Sequence, residues 1–272
     1  MITALIDNGS LEAAAHLNLR RVAAALTTAT GMRVEAVSWK HSDRVPATAL
    51  QGEPAWTIGP WVRHHAARGE REFVFLPFFI SAQGAIGSAL HADLVRLQAE
   101  TGPWSFHFTE GLAARGALPR ILAARVREAI ATRGLHHPRV VVVDHGGPSA
   151  VSAEVRNQTA RAASQLLGDE VSAVAAASME GEEHAHNHPL LADQLRTDGW
   201  NRGDIVVAPL FLSPGRHAGP DGDVAEIIRA AEHATAGTLR VHMAGLIGTH
   251  ELATAELTTA LHQHLNTYSL SS

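Results

Sequence analysis

The chain has 272 residues, a formal net charge of -5, 46% hydrophobic residues and no cysteine. That is enough apolar material for the core of one large domain or two ordinary ones, and the scattered basic residues argue against a nucleic-acid footprint. Without thiols there are no disulfides, thiolate metal sites, iron–sulfur clusters or cysteine nucleophiles, so any metal must be held by nitrogen and oxygen.

No apolar run reaches the length of a membrane span, and MITALIDNGSLEAAAH at the N-terminus lacks a basic flank followed by a long apolar stretch. The expectation is a soluble, cytoplasmic protein with neither membrane nor nucleic-acid partners. Histidine is the unusual residue, with 18 copies, whereas Lys40 is the sole lysine.

In chain order, β-branched runs alternate with segments of helical period. Strand-like stretches at Thr3–Asp7, Arg33–Ser38, Glu72–Ile80 and Trp104–Phe108 are followed by helical patterns at Leu11–Thr28, Trp56–Arg68, Ile86–Glu100 and Leu118–Thr132. After the turn-like RGLHHP the rhythm restarts, with strands at Arg139–Asp144, Val171–Ala177, Asp204–Leu212 and Leu239–Ala244. Helical patterns at Ala150–Leu167, Leu190–Asp198, Asp223–Ala234 and Leu252–Leu265 follow them. Strand then helix, repeated, predicts right-handed βαβ units and parallel sheets. The boundary falls near residue 135, giving domains 1–134 and 135–272.

The two halves also align with each other. ALIDNGS (4–10) lies over VVVDHGG (141–147), VEAVSWKH (34–41) over VAAASMEG (174–181), and FLPFFISAQGAIG (75–87) over VAPLFLSPGRHAG (207–219). Three matches in the same order point to an internal duplication. The copies differ where chemistry would sit, with Asn8 opposite His145, Lys40 opposite Glu180, and Ala85 opposite His217.

In an open parallel sheet, ligands bind at the carboxyl ends of the strands. His145, Glu180 and His217 each follow a strand of the second half, so all three are expected on one rim. Two imidazoles and a carboxylate suit a divalent first-row metal. The competing reading makes His145 a turn or N-cap residue and His217 a surface-loop residue, although the glycines around His217 favour a defined loop. In SMEGEEHAHNHP, His184, His186 and His188 could form an auxiliary metal site or simply a solvated polar loop. His250 is expected to be structural. GxSxG and P-loop motifs are absent from the sequence, leaving hydrolase and nucleotide readings unsupported.

VVVDHGG, ASMEGEE and PLFLSPGRHAGPDGD together resemble the ATP-independent class II tetrapyrrole chelatases, the group of sirohydrochlorin cobaltochelatase and ferrochelatase, over nearly all of residues 139–265. The resemblance implies two similar α/β domains facing each other across a cleft. Each would have a four-stranded parallel sheet flanked by helices. It also implies that His145 and His217 contact the metal, that Glu180 lies beside them, and that the first half has lost its equivalent residues.

The expected function is insertion of Co²⁺, Fe²⁺ or Ni²⁺, with Zn²⁺ also accepted, into a sirohydrochlorin-like tetrapyrrole of siroheme or cobalamin biosynthesis without a nucleotide. Arg216, Ser213 and Lys40 are the candidate contacts to the tetrapyrrole carboxylates. The protein would work as a monomer or homodimer. The alternative is a non-catalytic metal or tetrapyrrole carrier on the same scaffold, with HAHNH as its metal-loading segment.

Overall fold

β-Branched runs such as Val140–Val143, none of them exposed to solvent, suit strands of a parallel sheet covered on both faces. The computed structural model describes residues 1–80, 85–219 and 221–269 and places these runs in two parallel sheets. The first half contains β1 (Ile2–Asp7), α1 (Ala13–Thr30), β2 (Val34–Ser38), β3 (Trp56–Thr57) and α2 (Ile58–Ala66). It continues with β4 (Glu72–Pro77), α3 (Ala85–Thr101), β5 (Ser105–Phe108) and α4 (Leu118–Arg133). The second half contains β6 (Arg139–Asp144), α5 (Ala150–Leu167), β7 (Ala173–Ser178), α6 (Leu191–Gln194) and β8 (Gly203–Pro209). It ends with α7 (Asp223–Ala234), β9 (Leu239–Met243) and α8 (Glu251–Ser269).

One sheet has the order β3-β2-β1-β4-β5 and the other β7-β6-β8-β9. Leaving out β3, the connections are the same in both. The first sheet therefore has five strands where four were expected. Trp56 and Thr57, which the sequence pattern assigned to a helix, pair in parallel with Val37 and Ser38 before α2 begins. Trp and Thr favour a pleated, half-buried edge, which explains the short strand. The helix expected over Leu190–Asp198 is also shorter. It closes after Gln194, and the Thr197 hydroxyl donates to the Asp193 carbonyl (3.0 Å).

The chain forms two compact units, and each takes a helix from the other half. The first comprises Met1–Arg115 and the segment from Glu251 onward; the second is Gly116–His250. Helix α4 buries Leu118, Ile121, Leu122 and Val126 and packs in the second unit against α5. Arg125 anchors it by donating to the Leu246 carbonyl (3.0 Å) and the Thr249 hydroxyl (2.7 Å). Helix α8 packs against α1 in the first unit, held by Arg115 to Glu256 (3.2 Å) and Gln263 (2.6 Å). Periodicity along the chain orders the elements but does not say which sheet a terminal helix covers. The 134/135 division consequently differs from the packed units.

Candidate metal-handling site

In the sheet β7-β6-β8-β9, the connection leaving β6 runs to one side and the next crosses back to the other. The crevice between β6 and β8 is therefore the switch point at which an open parallel sheet binds ligands. His145 immediately follows β6, and His217 lies in the loop that follows β8. Their Nε2 atoms face each other at 3.2 Å, with ring planes at 87°.

Two glycines make this approach feasible. Gly146 has φ +84°, and a Cβ there would lie 2.0 Å from the Glu180 carbonyl oxygen, so the turn after β6 can lie flat on the turn after β7 only as glycine. Gly222 lies against the loop it closes, where a Cβ would meet the Arg216 carbonyl oxygen at 2.5 Å. That fold-back brings the Val224 N–H to the His217 carbonyl (3.2 Å) and sets Asp223, the first residue of α7, beside the His217 ring.

The ring nitrogens divide their work. His217 Nδ1 lies 2.5 Å from Asp223 Oδ2. His145 Nδ1 lies 3.2 Å from the Gly146 carbonyl and 3.4 Å from Glu180 Oε1. All of these partners are acceptors, so a neutral ring at either position carries its hydrogen on Nδ1 and turns an Nε2 lone pair toward the other. Two facing lone pairs repel unless a cation sits between them. Metal–imidazole bonds of about 2.0–2.1 Å at a near-tetrahedral angle separate two ligand nitrogens by about 3.2–3.4 Å. The observed spacing fits that requirement. Among the described residues no group of three or more histidines and carboxylates is gathered around a metal position. The geometry is that of an open two-nitrogen pair, and Glu180 reaches a histidine rather than completing a closed cage.

The other expected residues distribute as follows. Arg216 is 78% exposed, with Nε 3.9 Å from Asp223. Ser213 is half-buried in the loop after β8. Lys40 belongs to the first unit and lies over the Trp39 ring at 3.8 Å. Ala85, the counterpart of His217, has a side chain outside the described residues, as are Ser81 to Gly84 of the same matched segment. His186 Nε2 bonds the Gly147 carbonyl (2.9 Å), and His188 Nε2 bonds the Glu182 carbonyl (2.9 Å). His184 sits 3.3 Å from Glu183 and stacks on His186. Two of the three clustered imidazoles therefore brace backbone. His250 is buried, with Nε2 3.4 Å from Glu128, as expected of a structural histidine.

Beneath the histidines lies a buried polar network. Arg156 of α5 is 1% exposed, and its guanidinium contacts Asp144 Oδ1 (3.2 Å), the Ser178 hydroxyl and the His186 carbonyl (3.0 Å). Ser178 in turn donates to Asp144 (2.6 Å). One guanidinium thus ties together the end of β6, which carries His145, the end of β7, which precedes Glu180, and the histidine-rich segment.

The first unit has the same backbone frame with different side chains. The Trp39 N–H donates to the Asp7 carbonyl (2.8 Å) as the Met179 N–H does to that of Asp144 (2.8 Å). Gly9 lies against the Lys40 carbonyl as Gly146 lies against that of Glu180. At the helix position of Arg156, however, α1 carries Leu19. Asp7 retains the serine partner, Ser38, but its Oδ1 is buried without a hydrogen bond, and burial pushes its carboxyl up to about 6. His16, also buried, lies 3.4 Å from the Ser38 hydroxyl, and burial holds its ring down to about 4.

Sequence reasoning missed Asp223, Arg156 and His16 as partners. Asp223 had a signal in the quoted loop, because a carboxylate in the first turn of a helix just beyond a close-approach glycine is well placed to face back along the loop. Arg156 and His16 carry no local signal, since an arginine or histidine in an amphipathic helix reads as surface.

Residues 139–264 match the CbiX family model. Across the whole chain the structure is similar to SirB from Bacillus subtilis with Fe³⁺, with TM-score 0.64 and 14% identity over 97% of this chain and 95% of that one. It is also similar to CbiX, the terminal enzyme for biosynthesis of siroheme in denitrifying bacteria, with TM-score 0.62 and 17% identity over 96% and 97%. A third similar structure is the sirohydrochlorin chelatase SirB from Bacillus subtilis subspecies spizizenii in complex with cobalt, with TM-score 0.64 and 14% identity. At these identities the likeness establishes the fold. No curated protein matches the chain significantly.

Proposed function

We propose that the protein is a metal chelatase that inserts a divalent first-row metal into a sirohydrochlorin-like tetrapyrrole, with the metal as substrate and no nucleotide consumed. The observation that carries this reading is the His145–His217 pair, whose Nε2 atoms lie 3.2 Å apart at the sheet's switch point. Metal insertion exchanges M²⁺ for two pyrrole N–H protons, so the site must first hold a cation and then accept protons. Neutral imidazole does both. Two nitrogen ligands leave most of the coordination sphere to water and incoming pyrrole nitrogens, as a metal in transit requires.

Glu180, 56% exposed and beside His145 Nδ1, is suited to relay a released proton to solvent. Arg216 and Ser213, on the loop that carries His217, are suited to the carboxylates of the macrocycle, and Lys40 is a further candidate. The names of the similar structures, which mention iron and cobalt, favour those metals, with nickel next and zinc also accepted. The shared backbone frame of the two units supports an internal duplication in which the second copy kept the metal chemistry. The protein would act in the cytoplasm as a monomer or homodimer.

The test is Co²⁺ or Fe²⁺ supplied with sirohydrochlorin and catalytic protein in nucleotide-free buffer, followed by absorbance. Repeated turnover of the free macrocycle to its metal complex supports the proposal. Stoichiometric metal binding without turnover supports the carrier alternative, and no metal binding removes the chelatase and the metal carrier together.

A further inference from the structure

We infer that Asp223 is a positioning residue for His217: it fixes the imidazole as the Nδ1–H tautomer and aims the Nε2 lone pair at the incoming metal. The inference rests on the proposed metal role of His217. Asp223 Oδ2 lies 2.5 Å from His217 Nδ1, on the side of the ring opposite the nitrogen that faces His145. A carboxylate accepts and cannot donate, so this contact admits only a hydrogen on Nδ1. A histidine that ligates through one nitrogen needs its other nitrogen anchored if ring and tautomer are to hold.

Asp223 is itself anchored. It is the first residue of α7, where the helix end favours a carboxylate, and its backbone N–H reaches the Arg216 carbonyl (3.4 Å). Arg216 Nε, 3.9 Å away on the same oxygen, keeps the charge in place. Gly222 is what allows the helix to start close enough to the loop for this contact. His145 is held more loosely than His217. Its Nδ1 is shared between Glu180 and a neighbouring carbonyl at 3.2 to 3.4 Å, and Glu180 is more exposed. His217 is thus the fixed member of the pair and His145 the adjustable one, which suits a site that must both capture a metal and release it.

The experiment measures Co²⁺ binding by the visible spectrum and calorimetry on the intact protein, with the ring-nitrogen NMR pattern of His217 as a second readout. Asp223→Asn is expected to weaken Co²⁺ affinity by about 10- to 100-fold and to lose the single Nδ1–H pattern. Asp223→Glu should recover part of both. Asp221→Asn, which removes a nearby loop charge that faces Arg229 instead, should bind within about twofold of wild type. Thermal melts of all variants separate this effect from loss of the α7 cap. Wild-type affinity in Asp223→Asn, or an equal loss in Asp221→Asn, would overturn the inference. If His217→Ala binds Co²⁺ as wild type does, the metal role of the pair fails instead, whatever Asp223 does.

Discussion

His145 and His217, 72 residues apart in the chain, bring their Nε2 atoms to 3.2 Å because β6 and β8 are neighbours and each strand ends in a loop that carries one ring. Neither histidine is deeply buried, at 45% and 32% side-chain exposure, so removing either should leave the sheet intact. His145→Ala and His217→Ala are each expected to lower metal-insertion kcat/KM by on the order of 10²- to 10⁴-fold, with an unchanged circular dichroism spectrum. The double variant should be little worse than either single one, since half a pair holds no metal.

The histidine-rich segment leads to a different expectation. His188 Nε2 is committed to the Glu182 carbonyl, and His184 pairs with Glu183. A His184→Ala/His188→Ala double variant should therefore keep Co²⁺ affinity within about twofold and retain insertion activity, in line with the small value of exposed polar contacts. Loss of most of the bound metal, measured by calorimetry, would favour the carrier reading.

Arg156 tests the frame beneath the site. It is buried against Asp144, and truncating one member of a buried ion pair strands the other charge. Arg156→Leu should cost about 3–5 kcal/mol in urea denaturation. Adding Asp144→Asn should restore a large part of that, because no unpaired carboxylate then remains.

Asp7 in the first unit is a buried carboxyl with one unbonded oxygen, which has consequences for pH dependence. The carboxyl of Asp7 is raised from 3.8 to about 6 on folding. Its proton-linked stability is full below 3.8 and falls away as the pH rises toward 6, a loss of roughly 3 kcal/mol at neutral pH. The His16 ring is lowered from 6.5 to about 4, so its contribution is present above 6.5 and lost as the pH falls through 4. The two slopes oppose each other over the same window. Asp7→Asn should thus stabilise the protein by about 1–3 kcal/mol at pH 7.5 and by almost nothing at pH 4. Equal gains at both values would show that ionisation of Asp7 is not the cause.

Most of the architecture was legible in the sequence because β-branched apolar runs such as Val140–Val143 alternate with segments of helical period. The positions of His145, Glu180 and His217 were legible because each follows a strand of the second sheet. What was not legible depends on the third dimension. Trp56–Thr57 becomes a strand only because β2 offers it a free edge, and α4 and α8 change sheets without any change in their own pattern. Asp223 and Arg156 acquire their roles from loops and strand ends distant in sequence, where spacing along the chain carries no information.

The most direct test of the central claim is a single-turnover transfer. Protein loaded with one equivalent of Co²⁺ and freed of excess metal is mixed with sirohydrochlorin in nucleotide-free buffer, and the cobalt complex is followed by absorbance. A burst stoichiometric with bound metal is expected for the wild-type protein and should be absent in His217→Ala. A wild-type protein that holds its cobalt without forming the complex, or a His217→Ala burst of equal size, would contradict the assignment of metal insertion to the His145–His217 pair.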